Sequence, residues 1–368
     1  MNELQCIGNR ATAHIPEYTA CGRMKPSVKK TSIETSLLWP DVIRIFAVIG
    51  VVTIHSFSLP SLGSDWRSFE VLFNWFWFIG IKTCVPLFLL LSGALLLGKK
   101  EPQMVFYSKR LSRILLPWLV WGVVFLITKH QEHLTSIPHA LKTFTQILSA
   151  EFSFLPVLVC LYLLMPFMKV LVSELAVMKR WQLIGLWFLG ISLLPYLRNT
   201  MAFPIAVDNG LVRQTINYIG FIFLGHELRL WLEAQKQHRQ VLLKALIAFC
   251  LSVAGTFFIQ FTHPSTPQLF LSYVAPLIIL SSTAAFCALF AAAKMNQSPQ
   301  FQKTLHEYSA ASFGVFFLHP LVLMLVTPGI LTQDITLKNI LLTTITIGLS
   351  FLVILSLQQI PWLRKKIS

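Results

Sequence analysis

Arg44 and His55 lie inside the first long apolar stretch of the chain, Leu37 to Pro60, with ten residues between them. Ionisable groups inside a bilayer are costly and usually face a bundle interior, where they do chemistry, transport or pairing. Eleven positions at about 100° each come to roughly 20° past three whole turns of a helix, a rise of about 16 Å. Both side chains therefore project from one face of one helix. A guanidinium can steer an anion. An imidazole titrates near neutrality and serves as a base. Together they describe a reactive channel rather than a wall facing lipid.

The elements that must position such a stripe are membrane helices. The chain has 368 residues, of which 55% are hydrophobic and 12% charged. Its mean hydropathy is +0.67. A soluble domain carries about twice that charge. Apolar runs of about 20 residues recur along the chain, the length a helix needs to cross a bilayer. They are continuous, whereas a β-barrel would alternate over short segments. Helices also satisfy every backbone hydrogen bond internally. The fold class expected is therefore all-α, a polytopic bundle of about ten helices. The runs fall at 38–59, 70–97, 109–128, 153–172, 182–197, 214–231, 241–262, 268–293, 309–328 and 337–358.

A net charge of +15 resembles a nucleic-acid footprint, but its placement argues for membrane orientation. Of the 30 lysines and arginines, Arg44, Lys82 and Lys169 lie inside spans. Arg67, Lys129, Lys142, Arg198, Arg213 and Lys338 fall on one side, and the remaining 21 on the other. By the positive-inside rule that split places both termini in the cytoplasm. Residues 1–36 read as a cytoplasmic arm without a signal peptide, 37–360 as the membrane-embedded domain, and 361–368 as a basic cytoplasmic tail. Met24 precedes a basic stretch and is an alternative start. The largest outer loop, about 129–152, holds His130, Glu132, His133, His139 and Glu151 and is expected to cap the outer mouth. Six cysteines are scattered without a CxxC or a His/Cys cluster. They read as small core residues, with no metal site and no disulfide.

Four motifs occur in order. The first span begins Pro40-Asp41-Val42-Ile43-Arg44 and runs on to His55. The second carries Val85-Pro86-Leu87-Phe88-Leu89-Leu90-Leu91-Ser92-Gly93. The third opens Arg110-Leu111-Ser112-Arg113-Ile114-Leu115-Leu116-Pro117. Near the C-terminus stands Ser312-Phe313-Gly314-Val315-Phe316-Phe317-Leu318-His319-Pro320. In these residues the chain resembles the integral-membrane acyltransferase-3 family over roughly residues 38–358. The Val-Pro-Leu-Phe run and Leu161-Tyr162-Leu163-Leu164-Met165-Pro166 resemble the subgroup that includes enterobacterial-common-antigen O-acetyltransferase. Two features depart from the family's pattern. The fourth span starts Phe152-Ser153-Phe154-Leu155-Pro156 without the tryptophan common there, and the N-terminal arm is longer than usual. Some members carry an extracytoplasmic hydrolase-like domain; none is expected here.

The resemblance implies transfer of an acyl group, most simply acetyl with succinyl open, from cytoplasmic acyl-CoA. The acceptor would be a hydroxyl of an envelope glycan or lipid-linked saccharide at the inner membrane of a bacterium. Such chemistry needs a base for the alcohol and stabilisation of the tetrahedral oxyanion. His55, about 25 Å into its span from Leu38, is the candidate base. Arg110 and Arg113, three apart on one helical face, suit the phosphates of acyl-CoA. Arg44 could steer the pantetheine arm inwards. Lys82, His319 and Glu151 are candidate substrate or oxyanion contacts.

Each residue also has a plainer reading. Arg110 and Arg113 could be anchors, Arg44 could snorkel to headgroups, and His55 could be a satisfied polar residue. His319 could be a packing residue. Lys82 could pair with Glu70 or Glu151. The aromatic run Phe69–Phe78 could be an interfacial belt or a sugar-stacking platform. A transporter or flippase without catalysis is the alternative function. It predicts inverted repeats and paired broken helices, and the sequence displays neither. Acetyl-CoA or another acyl-CoA is expected as donor substrate, with no permanently bound cofactor. Membrane lipids and a glycan acceptor are the other expected partners, and nucleic acid is not one.

Overall fold

The computed structural model describes residues 38–60, 68–129, 136–200, 210–262, 271–295 and 298–360. The arm 1–36 with Met24, the tail 361–368, and His130, Glu132 and His133 lie outside the described residues. Among those described, every regular element is helical. In chain order they are α1 (Leu38–Ser56), α2 (Phe69–Ile81), α3 (Cys84–Leu96), α4 (Gln103–Lys129), α5 (Ile137–Ala150), α6 (Phe154–Glu174) and α7 (Val177–Trp187). A π-helical stretch, Phe188–Leu193, joins α7 to α8 (Leu194–Thr200). Then follow α9 (Leu211–Glu233), α10 (His238–Thr262), α11 (Pro276–Met295), α12 (Pro299–Val326) and α13 (Ile335–Leu357).

Nine helical spans among the described residues are long and apolar enough to cross a membrane. The expected span at 214–231 is not among them, because α9 carries Arg213, His226, Glu227, Arg229 and Glu233. At 23 residues it is about 34 Å long, and packing rather than composition accommodates it. His226 and Glu227 are buried, and the Arg180 guanidinium donates to Glu227 from α7 at 2.5 Å. The protein is a polytopic all-α bundle.

Three local features depart from the linear reading. The second span, Phe69–Leu96, is interrupted at Lys82-Thr83, where the chain makes one turn before α3 restarts. The eighth begins at Pro276 rather than at 268. Proline lacks the N–H that a preceding turn would require and is pre-organised for the first helical position. Residues 271–275 instead form turns. The outer loop holds an amphipathic helix, α5, which lies against α4 where Gly122 leaves room for Phe144 and Leu148.

Two contacts set the frame of the bundle. First, α1 and α12 run parallel and in register. Asp41 meets Ser309 at one level and His55 meets His319 at another. Second, α3 and α9 cross with their backbones touching, because Gly93 faces Ile222 and Gly225 faces Leu90. Small residues allow such close crossings between membrane helices. A polar clasp holds α13 to α2 and to the segment after α1. Asn339 donates to Asn74 at 2.7 Å and to the Ser58 carbonyl at 2.9 Å, and it accepts from the Ser58 N–H at 2.9 Å.

Candidate active site

A cavity of about 1490 Å³ opens among α1, the break after α2, the π-helical stretch, the start of α9 and the turn 271–275. His55, exposed to this space, forms part of its wall together with Lys82, Glu151, Arg213, Tyr218, Gln260 and Tyr273. The His319 ring lies behind His55, with ring centroids 5.2 Å apart. His319 is buried, and its Nδ1 is 2.7 Å from the Phe316 carbonyl. A carbonyl only accepts, so Nδ1 carries the hydrogen, and in the neutral ring Nε2 is the bare nitrogen. That Nε2 is buried with no hydrogen-bond partner. His319 therefore offers an acceptor at the back of the His55 pocket.

Glu151 and Lys82 share the cavity wall with His55. Glu151 is held by the Lys129 ammonium, which donates to its carboxylate. Glu70 accepts from the Ile335 N–H at 3.1 Å. Neither carboxylate pairs with Lys82, so that reading of Lys82 is corrected. Both are already engaged by groups that their own helices bring close. The Lys82 Nζ instead sits 5.2 Å from the Phe78 ring centroid and 4.8 Å from that of Tyr273.

The aromatic run of α2 has two sides. Phe69, Phe73 and Trp77 stack in a row, and both Phe69 and Trp77 are exposed, as in an interfacial belt. Trp75 and Phe78, on the other side of the helix, line the cavity.

Arg44 stands at the end of α1 expected to face the cytoplasm. Its guanidinium donates to Asp41 at 3.1 Å and to Ser309 at 2.6 Å, and Ser309 donates to Asp41 at 2.6 Å. Nδ1 of His306 lies 3.0 Å from the other Asp41 oxygen. Arg44 is therefore tethered across the α1–α12 seam with its side chain 35% exposed, rather than lying free among headgroups.

The structure separates Arg110 from Arg113. Arg110 turns inward over the Phe106 ring, 5.6 Å from its centroid, and reaches Glu101 at 3.5 Å. Arg113 is exposed. On the same Phe106 ring, 4.5 Å from the centroid, lies the Lys169 ammonium of α6. The Tyr162 ring packs edge-on against the same Phe106, with centroids 6.3 Å apart.

A family model for the acyltransferase domain, of the acyltransferase-3 type, matches residues 37–358. The chain belongs to the acyltransferase-3 family. No curated protein and no solved structure matches it. As an acyltransferase-3 protein it is a multi-pass membrane acyltransferase. The interrupted second span and the π-helical stretch, features that a transporter reading would claim, here line the cavity of an acyltransferase-3 bundle. π-Helical turns recur at functional sites.

Sequence reasoning missed three side chains that contact the candidate site residues. Lys169 was visible only as a cation inside a span, and nothing local joins it to Arg110. Ser309 and His306 precede the late motif by a few residues, yet they complete the Asp41–Arg44 network. The one available signal was spacing. Ser309 and His319 stand ten positions apart on α12, close to the eleven that separate Arg44 from His55 on α1.

Proposed function

We propose that this protein moves an acyl group, acetyl in the simplest case, from cytoplasmic acyl-CoA to a hydroxyl of an envelope glycan or lipid-linked saccharide at a bacterial inner membrane. The observation that carries the reading is the His55 imidazole on the wall of a large cavity that also presents Lys82, Glu151 and Arg213, backed by Nε2 of His319. An N–H of His55 turned to that Nε2 would leave its other nitrogen basic toward the cavity. The acceptor hydroxyl gives its proton to this nitrogen as its oxygen attacks the thioester carbonyl. The tetrahedral oxyanion then collapses, the C–S bond breaks, and the imidazolium returns the proton to the departing thiolate. Arg44, tethered at the opposite end of the same helix face, lies on the route by which a pantetheine arm would approach. The likeness to the enterobacterial-common-antigen O-acetyltransferase subgroup favours acetyl over succinyl.

The direct test is mass spectrometry of envelope glycans from a deletion strain and from the same strain complemented. The complemented strain should carry species heavier by one acyl group. Identical glycan masses in the two strains would contradict the reading.

Arg110 and Lys169 are the proposed clamp for the donor's phosphates, two cations on one aromatic ring. A hydrogen bond between charged groups is worth about 1.5–3 kcal/mol. Replacing both with Gln should therefore raise the apparent KM for acyl-CoA by about tenfold or more, with membrane insertion unchanged. Arg113→Gln should shift it by less than about twofold, as expected of an exposed anchor. Equal effects at all three positions would point to general surface charge instead.

A further inference from the structure

Among the described residues, Lys82 is a cation without a counter-ion. It stands at the break between α2 and α3, midway along a 28-residue span. No carboxylate among the described residues lies within ion-pair distance, and no hydrogen bond engages its ammonium. The rings of Phe78 and Tyr273 flank it. Cation–π contacts of this kind offset only part of the penalty for a half-buried charge without a counter-ion. An ammonium also has three N–H donors, and ring faces satisfy them poorly. Lys82 lines the cavity, so the acceptor it lacks can come from whatever fills that space.

The rest of the lining points the same way. Arg213, in the first turn of α9, faces the cavity and has no carboxylate partner among the described residues. Glu151 is the carboxylate of the described lining, and Lys129 already neutralises it. On α10, Gln260 is 1% exposed, and both its amide nitrogen and its amide oxygen lack partners. A buried amide left unsatisfied on a cavity wall is expensive unless a ligand completes it.

We propose that the cavity recognises an acidic saccharide, with Lys82 as the counter-ion of a carboxylate or phosphate on the acceptor and Gln260 as a neutral hydrogen-bond partner along the same wall. This rests on the acceptor role of the cavity argued above and adds the chemical class of the acceptor. An uncharged saccharide would leave the Lys82 ammonium desolvated and unpaired. Selectivity for acid over neutral sugar follows from that difference.

Binding, rather than turnover, tests it. The full chain in lipid nanodiscs is titrated with octyl glucuronide, with the methyl ester of that glucuronide, and with octyl glucoside 6-phosphate. The ester keeps the shape of the acid and removes its charge. Wild type should bind the glucuronide or the phosphate on the order of 10- to 100-fold more tightly than the ester, and the tighter of the two identifies the anion. In Lys82→Met the acid and the ester should bind within about twofold of each other. Lys82→Arg should retain the preference for acid, which separates lost charge from lost fold. Gln260→Leu should weaken acid and ester alike.

Equal affinity of wild type for acid and ester, absence of binding by all three probes, or a preference that survives in Lys82→Met would each overturn the proposal. An oxyanion role for Lys82 would instead lower the rate with every acceptor and leave the affinity gap untouched. Retained preference in a protein that transfers no acyl group would count against the catalytic reading alone.

Discussion

His55→Gln will lose acyl transfer by about 10²–10⁴-fold, the range assigned to a general acid–base group. Glutamine keeps much of the size and some hydrogen bonding of histidine but cannot shuttle a proton. His55 lies on a cavity wall rather than in the packed interior, so little of the fold depends on it. The proposed donor contacts, Arg110 and Lys169 on Phe106 and Arg44 on Asp41 and Ser309, stay in place. Acyl-CoA binding by the variant should therefore remain close to wild type. The check is purified protein in nanodiscs, with donor binding and transfer measured side by side. Transfer within a few-fold of wild type would exclude His55 as the base and leave His319 as the next candidate. Loss of folding and binding together would make His55 a structural residue.

Gly93→Val should have the largest effect on the fold itself. A Cβ at Gly93 would come within 2.7 Å of the Ile222 backbone carbon and would overlap its carbonyl oxygen. Gly225 stands in the same relation to Leu90. The obstacle on each side is helix backbone, which cannot rotate away as a side chain can. Overpacking usually costs about 1–3 kcal/mol and occasionally more, and a backbone clash belongs at the upper end. Because α3 begins just past Lys82 and α9 carries Arg213 and Tyr218, separating the two helices would also open the cavity. Gly348, with nothing near its Cβ position, is the matched control. Gly93→Val should lose monodisperse, thermally cooperative protein in detergent, and Gly348→Val should keep it. Equal stability of the two variants would contradict the close crossing.

The residues that were legible in the sequence are those that a single helix relates. Arg44 and His55 share a face because of the helical period alone, and the apolar runs locate the spans to within several residues. Even α9, too polar to qualify by composition, is bounded by Asp208-Asn209-Gly210 before it and by the polar segment Gln235-Lys236-Gln237 after it. Gly93 belongs to a recognisable motif, but the reason for a glycine there is the carbonyl of Ile222 on another helix. The pairing of His319 with His55 required the parallel packing of α1 and α12. The meeting of Lys169 with Arg110 required α6 to cross Phe106. The ion-pair reading of Lys82 failed for a related reason. Its nearest plausible carboxylates were guessed along the chain, whereas Glu70 caps a backbone N–H of α13 and Glu151 is held by Lys129. The break beside Lys82 is announced only weakly, by Gly80 two residues before it, since Pro86 comes only after α3 has restarted.

The central claim is that one helix face joins a donor approaching from the cytoplasm to an acceptor in the cavity on the other side, with His55 between them. Sealed membrane vesicles of both orientations, prepared from cells making wild type or His55→Gln, test it most directly. Acetyl-CoA labelled in the acetyl group cannot cross the bilayer, so it reaches one face only. Label should enter envelope glycan when the donor is supplied at the cytoplasmic face of vesicles carrying wild type, and should be absent with His55→Gln. Labelling from the outer face, or labelling by His55→Gln at a comparable rate, would contradict the account.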